Sequence, residues 1–302
     1  MNNQQKILVY GATGAQGIPV VRRLLQEGYH VRALVRNSQK AEALQQAGAE
    51  ITVGNLGDLA SLEVANKGID SVFMYLPLEF NSVVTEYGQN AIKAAKAAGV
   101  RHLVFNTSVL VPGFYTNVKA LDLKRDVEMY LRESGLPYII LRPTFYMENF
   151  AAPWSAPTIM QERIVAYPMD SNFKAAWITL EDVAGFVVEA LKNPQLSGSA
   201  FEIGGPEVLS GNEIAERFAA VLGNTVRYCP IPLDQFEQQM NAAMGKPIGT
   251  EIAALYRWFM SQPQSPAVID TKPVLQKFPV QLTPLEQWIR RQNCFSVAKN
   301  QL

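Results

Sequence analysis

Three glycines in the segment Gly11-Ala-Thr-Gly-Ala-Gln-Gly17, set between an apolar run and an amphipathic one, constrain this chain more than any other segment. Ile7-Leu-Val-Tyr10 reads as a buried strand, and Ile18, Val21, Leu24 and Leu25 give the following segment the apolar face of a helix. Gly11 permits a tight turn, Gly14 lets the backbone approach a diphosphate with no Cβ in the way, and Gly17 lets the helix pack against the strand. The helix N-terminus adds unpaired N–H groups and the positive end of its dipole. The loop residues Gly11, Thr13, Gly14, Ala15, Gln16 and Gly17 are therefore expected to hold the diphosphate of a dinucleotide. A turn that merely needs positive φ would also use glycine; the strand before and the helix after favour the cradle.

The first half of the chain repeats that alternation. Short apolar runs near 6–10, 30–35, 50–53, 70–76, 101–107 and 137–142 are separated by helical patterns near 17–27, 39–47, 58–66, 82–98 and 118–133. Gly28, Gly48, Gly68, Gly99 and Gly135 each follow a helical run, where a left-handed residue is wanted. Such βαβ units give an α/β fold, a Rossmann-type doubly wound parallel sheet covered on both faces. After Arg142-Pro143 the rhythm breaks, and Pro153, Pro157 and Pro168 crowd the next stretch. A helix at 181–192 and a strand at 200–204 are expected to return to the sheet. Helices near 210–222, 234–244, 249–261 and 284–293 suggest a smaller, mostly helical C-terminal lobe. The expected organisation is a Rossmann domain over residues 1–152, with 176–204 returning to it, and a substrate lobe built from 153–175 and 205–302. The crevice between lobe and sheet is where a substrate is expected.

The end of the second strand discriminates between nicotinamide dinucleotides. An acid there accepts from the adenosine ribose, whereas an arginine pairs with a 2′-phosphate. Here Val35 stands where the acid is expected and Arg36 follows it, with Ser38 and Lys40 close behind. A solvated strand-end charge is the other reading of Arg36, but the pattern points to NADP, with NADPH preferred over NADH. Composition agrees with a small-molecule partner. The chain's 302 residues are 48% hydrophobic, and 27 basic residues balance 27 acidic ones, with a pI near 6.8. That balance supplies no electrostatic footprint for nucleic acid or anionic lipid. The polar start runs straight into the first strand, no apolar run reaches membrane length, and Cys229 and Cys294 stand alone. A cytoplasmic protein without a metal site is expected; His30 and His102 read as strand-edge residues.

Taken in order, the glycine loop, the Val-Arg-Ala-Leu-Val-Arg36 strand end, the segment Leu136-Pro-Tyr-Ile-Ile-Leu-Arg-Pro-Thr-Phe-Tyr-Met-Glu-Asn-Phe150, Thr179-Leu-Glu-Asp-Val-Ala184 and Phe201-Glu-Ile-Gly-Gly-Pro206 resemble the atypical short-chain dehydrogenase/reductases, and within them the NmrA-like family. The resemblance implies either an NADPH-dependent reductase of quinones, dyes or plant phenolics, or a regulator that senses the dinucleotide through protein contacts without turning it over. It adds the Asn55-Leu56 turn, for the adenine edge, and Leu76-Pro77 to the cofactor cradle. It also implies a lysine that is both catalytic and part of the cofactor site, where it holds the nicotinamide ribose. Tyr115-Thr-Asn-Val-Lys119 has the YxxxK spacing of the catalytic short-chain enzymes, but the register fixed by Gly135 aligns Lys124 and Glu128 with the family's Lys-xxx-Glu and puts Ala120 at the tyrosine position. Lys124, Ser108 at the end of the fifth strand, and Tyr115 are the catalytic candidates. Ser108 also suits a plain strand-end turn. Phe145, Tyr146, Asn149 and Phe150 follow the sixth strand and are expected to face the nicotinamide end, where aromatic groups suit a flat acceptor such as a quinone or an aromatic carbonyl; the same spacing suits core packing.

Overall fold

The structure, a computed structural model, describes residues 5–296. The chain divides into two compact units. The first runs through Pro143 and includes Leu180–Glu202 and Pro273–Val280; the second comprises Thr144–Thr179, Ile203–Lys272 and the chain from Gln281.

The first unit is built on a seven-stranded sheet. Its strands are β1 (Lys6–Val9), β2 (His30–Val35), β3 (Glu50–Val53), β4 (Ser71–Met74), β5 (His102–Asn106), β6 (Tyr138–Pro143) and β9 (Ser199–Ile203), in the spatial order β3-β2-β1-β4-β5-β6-β9. The first six pair in parallel, with Ile7 beside both Val31 and Ser71. Because β1 lies between β2 and β4, the winding reverses there, and the C-terminal ends of β1 and β4 form a topological switch point.

Side chains alternate across the pleat, and both faces are apolar. Leu8, Tyr10, Val72, Met74, Leu103, Phe105 and Ile140 cluster with Leu62 of α3 (Leu59–Asn66), Ala91 and Ala95 of α4 (Val83–Ala97), and Val127 and Leu131 of α5 (Lys119–Glu133). On the other face α1 (Gly17–Gln26) packs against α7 (Leu180–Lys192), and Lys192 pairs with Glu27 at 3.0 Å. Each fully buried Leu or Phe contributes about 2 kcal/mol, so burial on two faces stabilises the sheet far more than strand propensity does. The helix ends follow their sequence cues. Asp58 caps α3 by accepting from the Ala60 and Ser61 N–H groups, and Gly28 ends α1 at φ +83°. The short α2 (Glu42–Gln46) completes the helices that connect the early strands.

The second unit carries two small sheets, β8 (Ala175–Ala176) with β10 (Val208–Leu209), antiparallel, and β7 (Ile164–Tyr167) with β11 (Arg227–Pro230), parallel. Around them lie α6 (Ala156–Glu162), α8 (Gly211–Leu222), α9 (Leu233–Met244), α10 (Ile248–Ser261) and α12 (Leu285–Arg291), while α11 (Lys272–Lys277) lies almost wholly in the first unit. A Ser210–Glu213 capping box starts α8. The strand β11 and the helix α11 have no counterpart among the sequence expectations. Arg-Tyr-Cys-Pro is mostly exposed and lacks alternation, so only its pairing with β7 makes it a strand. Among the described residues no helix is long and apolar enough to cross a membrane.

Candidate functional site

The glycine loop closes on itself directly after β1. Gly11 has φ +68°; the Gly14 N–H donates to the Gly11 carbonyl at 2.9 Å, and the Gly17 and Ile18 N–H groups donate to the Gly14 carbonyl at 3.0 Å. A Cβ on Gly17 would collide with the Gly11 carbonyl oxygen and lie 2.8 Å from the Ala12 Cα. Gly17 is therefore needed so that α1 can start against the turn. Gly14 meets a different neighbour. A Cβ there would fall on the hydroxyl of Tyr75, which follows β4 and donates to the Gly11 carbonyl at 2.9 Å.

A cavity of about 360 Å³ opens beside the loop. Gly11, Thr13 and Gly14 form one wall, Val35, Arg36 and Lys40 a second, and Gly54, Asn55 and Leu56 a third; Tyr75, Pro77, Glu79 and Tyr87 complete it. The third wall is rigid because its backbone is tied down. Asn55 accepts from the Gly57 N–H, Ser61 accepts from the Asn55 N–H, both at 3.0 Å, and Asn90 donates to the Leu56 carbonyl at 3.1 Å. The cavity thus joins a helix N-terminus, two cations without an acid at the end of β2, and a wall that holds Leu56 and Tyr87. Of the cradle residues named from sequence, Ala15 is exposed and Leu76 and Lys124 are buried, and none of these three borders this cavity, nor do Gln16 and Gly17.

Gln16 instead links the loop to β5. Its Oε1 accepts from Asn106 Nδ2 at 2.9 Å and from Ser108 Oγ at 3.1 Å, while the Ser108 N–H donates to Asn106 Oδ1 at 3.0 Å. Ser108 adopts φ +66°, a left-handed conformation that side chains other than glycine rarely take. That conformation and the bond to Gln16 fix the hydroxyl at the end of β5.

Lys124 lies on the buried face of α5, between Ala120 and Val127. Burial alone pulls its ammonium from the ordinary 10.5 down to about 7. Glu128, one turn further, does not serve it. Arg142 Nε donates to Glu128 Oε1 at 2.8 Å, and its Nη2 engages the other oxygen. Tyr115 is placed elsewhere: its ring is 55% exposed and its hydroxyl donates to Asp126 at 2.8 Å. Asp126 lies two residues from Lys124, about 200° around the helix, so the hydroxyl is held on the opposite side of α5. The YxxxK spacing of Tyr115 and Lys119 therefore does not bring the phenol to Lys124.

The substrate candidates belong to the second unit, and two of them are core. Phe150 is fully buried against Trp177 and Phe218, leaving it no surface for a substrate. Phe145 is buried among Trp177, Tyr256 and Phe259. Tyr146 and Asn149 stay half-buried, and Asn149 donates at 3.0 Å to Tyr167, whose hydroxyl meets that of Tyr256 at 2.6 Å. Aromatic spacing in the sequence cannot tell a core from a binding face. Sequence reading passed over Tyr75, Glu79 and Tyr87; the one available signal was a tyrosine directly after the apolar β4, next to Leu76-Pro77.

The model of the NmrA-like family matches residues 3–289. The chain belongs to the NmrA-like family. Among similar proteins, an NAD(P)H azoreductase of Xenophilus azovorans is 33% identical over 269 residues, 88% of this chain and 91% of the relative. Quinone oxidoreductase 2 of Escherichia coli (strain K12) is 27% identical over 224 residues, 74% of this chain and 76% of the relative. The same fold occurs in the triphenylmethane reductase of Citrobacter sp. solved with NADP(H), which superposes with a TM-score of 0.79 at 21% identity and covers 93% of this chain and 98% of that one.

Proposed function

We propose that this NmrA-like protein binds NADP(H), prefers NADPH to NADH, and reduces a quinone-like or other planar acceptor by hydride transfer. The observation that carries the reading is the cavity beside the glycine loop, in which Val35 takes the place of an NAD site's carboxylate and Arg36 and Lys40 stand beside it. The residues fit the cofactor in three places. Gly11, Thr13, Gly14 and Gly17 with the α1 N-terminus suit the diphosphate, Arg36 and Lys40 suit the 2′-phosphate, and the tied-down Asn55-Leu56 turn suits the adenine edge, with Pro77 along the same wall. The names of the azoreductase and quinone oxidoreductase relatives support the acceptor class.

When bound, the dinucleotide supplies the hydride. The chain supplies position and a proton. Lys124, with its pKa near 7, is poised to exchange a proton at neutral pH. The Ser108 hydroxyl, which donates to Gln16 in the free protein, is assigned as donor to the acceptor's oxygen once it turns from Gln16. A quinone makes modest demands on such groups, because its reduced oxygen is a weakly basic phenolate. Tyr146 and Asn149 are the remaining candidates for contact with the acceptor. A cytoplasmic setting is part of the proposal, and cell fractionation tests it.

The test is anaerobic mixing with NADPH or NADH and a panel of quinones and azo dyes. Oxidation of NADPH faster than NADH by at least one acceptor supports the proposal; tight NADPH binding with no oxidation across the panel refutes the catalytic part and leaves a dinucleotide sensor.

A further inference from the structure

Tyr75 lies across the part of the glycine loop that a diphosphate would use. It is half-buried, its ring packs 6.2 Å from Phe73, and Cε1 lies 2.7 Å from the position of a Cβ on Gly11. Its hydroxyl donates to the Gly11 carbonyl at 2.9 Å and fills the space that a Cβ on Gly14 would take. Burial pushes the phenol up to about 12, opposed by the Arg36 charge. The oxygen thus sits over the turn that starts α1 and within the field of Arg36, where an anion would be received.

We propose that Tyr75 is a built-in stand-in for the diphosphate at the dinucleotide site: its hydroxyl holds the diphosphate's place over Gly11 and Gly14, and a ligand that carries a diphosphate must displace it. This rests on the reading that the loop takes NADP(H). A neutral hydroxyl makes a weaker partner for a helix N-terminus than a phosphate does, so a diphosphate displaces it. A nucleotide that reaches only Arg36, Lys40 and the Asn55-Leu56 turn gains no such contact and leaves Tyr75 in place. Glycine at position 14 is then required by the tyrosine in the free protein and by the diphosphate in the bound one.

Calorimetric titration of the full chain and its Tyr75→Phe and Tyr75→Ala variants with NADPH and with adenosine 2′-monophosphate tests this. Losing the hydroxyl's hydrogen bond should tighten NADPH by roughly 3- to 10-fold and leave the mononucleotide within about twofold. Weaker NADPH binding to Tyr75→Phe would make the hydroxyl a ligand of the cofactor, and unchanged binding would make it a bystander; either overturns the proposal. Wild-type protein that fails to bind NADPH at all overturns the functional reading itself, and this inference with it. A ligand-free arm does not depend on NADPH binding. Gly14→Ala should lower the thermal midpoint in the wild-type background and lose most of that effect beside Tyr75→Ala, whereas an equal drop in both backgrounds refutes the steric pairing.

Discussion

Lys124→Met should make the cofactor-free protein more stable while removing its activity. The ammonium of Lys124 is buried in α5, and burial alone moves it from 10.5 to about 7. That displacement corresponds to ~5 kcal/mol of native-state penalty, at about 1.4 kcal/mol per pH unit, when the group must be charged or neutralised against its preference. The sign follows from proton counts. Between about 7 and 10.5 the unfolded chain holds a proton on this lysine that the folded chain has released, so folding becomes more favourable as pH rises through that window. Below about 7 both states are protonated and the full penalty is present. Methionine has similar length and no charge, so the variant escapes the penalty. Urea unfolding of both proteins at about pH 6 and about pH 9 should show the variant ahead by ~2–5 kcal/mol at the lower pH and by ~2 kcal/mol or less at the higher. Turnover should fall at both. A variant less stable than wild type at both pH values would mean that the native site stabilises the ammonium, and the assignment of Lys124 as a proton-exchanging group would fail.

Other consequences follow from particular contacts. Arg36→Ala should weaken NADPH by roughly tenfold or more and leave NADH nearly unchanged; equal loss for both cofactors in a fluorescence titration would remove the 2′-phosphate assignment. His102 is buried, neither ring nitrogen has a hydrogen-bond partner, and burial lowers its pKa from 6.5 to about 4. The unfolded chain takes up that proton first, so ~3 kcal/mol of stability should be lost as pH falls from about 6.5 to about 4; His102→Leu should flatten this part of the stability–pH curve, and a curve parallel to wild type would contradict the burial argument. Glu128→Gln should cost ~2–4 kcal/mol in chemical unfolding, because it leaves the half-buried Arg142 without its carboxylate; it should not move the pH dependence of turnover, since Glu128 does not touch Lys124. Gly88→Val should destabilise the fold by ~2 kcal/mol or more, because a Cβ there already lies 2.6 Å from Val127 where α4 meets α5; a thermal midpoint equal to wild type would contradict that packing.

Most of the parallel sheet was legible because both of its periodicities are local. Apolar runs of strand length, helical faces and glycines after helices occur within a few residues of one another, and the order β3-β2-β1-β4-β5-β6 follows once the crossovers are recognised. The position of Arg36 on the cavity wall was legible for the same reason, being fixed by its place at the end of β2. The remainder depends on partners distant in sequence. Tyr75 reaches Gly11 and Gly14 only because β4 lies beside β1. Glu128 is committed to Arg142 through a contact between α5 and β6 that the Lys-xxx-Glu pattern does not encode. Phe145 and Phe150 looked like a binding face, and became core when Trp177, Phe218, Tyr256 and Phe259 closed around them. Tyr115 matched a spacing, but Asp126 holds its hydroxyl.

The central claim is turnover, beyond binding. Stopped-flow absorbance of NADPH mixed anaerobically with the protein and a quinone or azo dye tests it most directly. The account predicts loss of the reduced nicotinamide band with stoichiometric reduction of the acceptor, faster with NADPH than with NADH and abolished by Lys124→Met. Saturable NADPH binding with an unchanged nicotinamide band for every acceptor would contradict it.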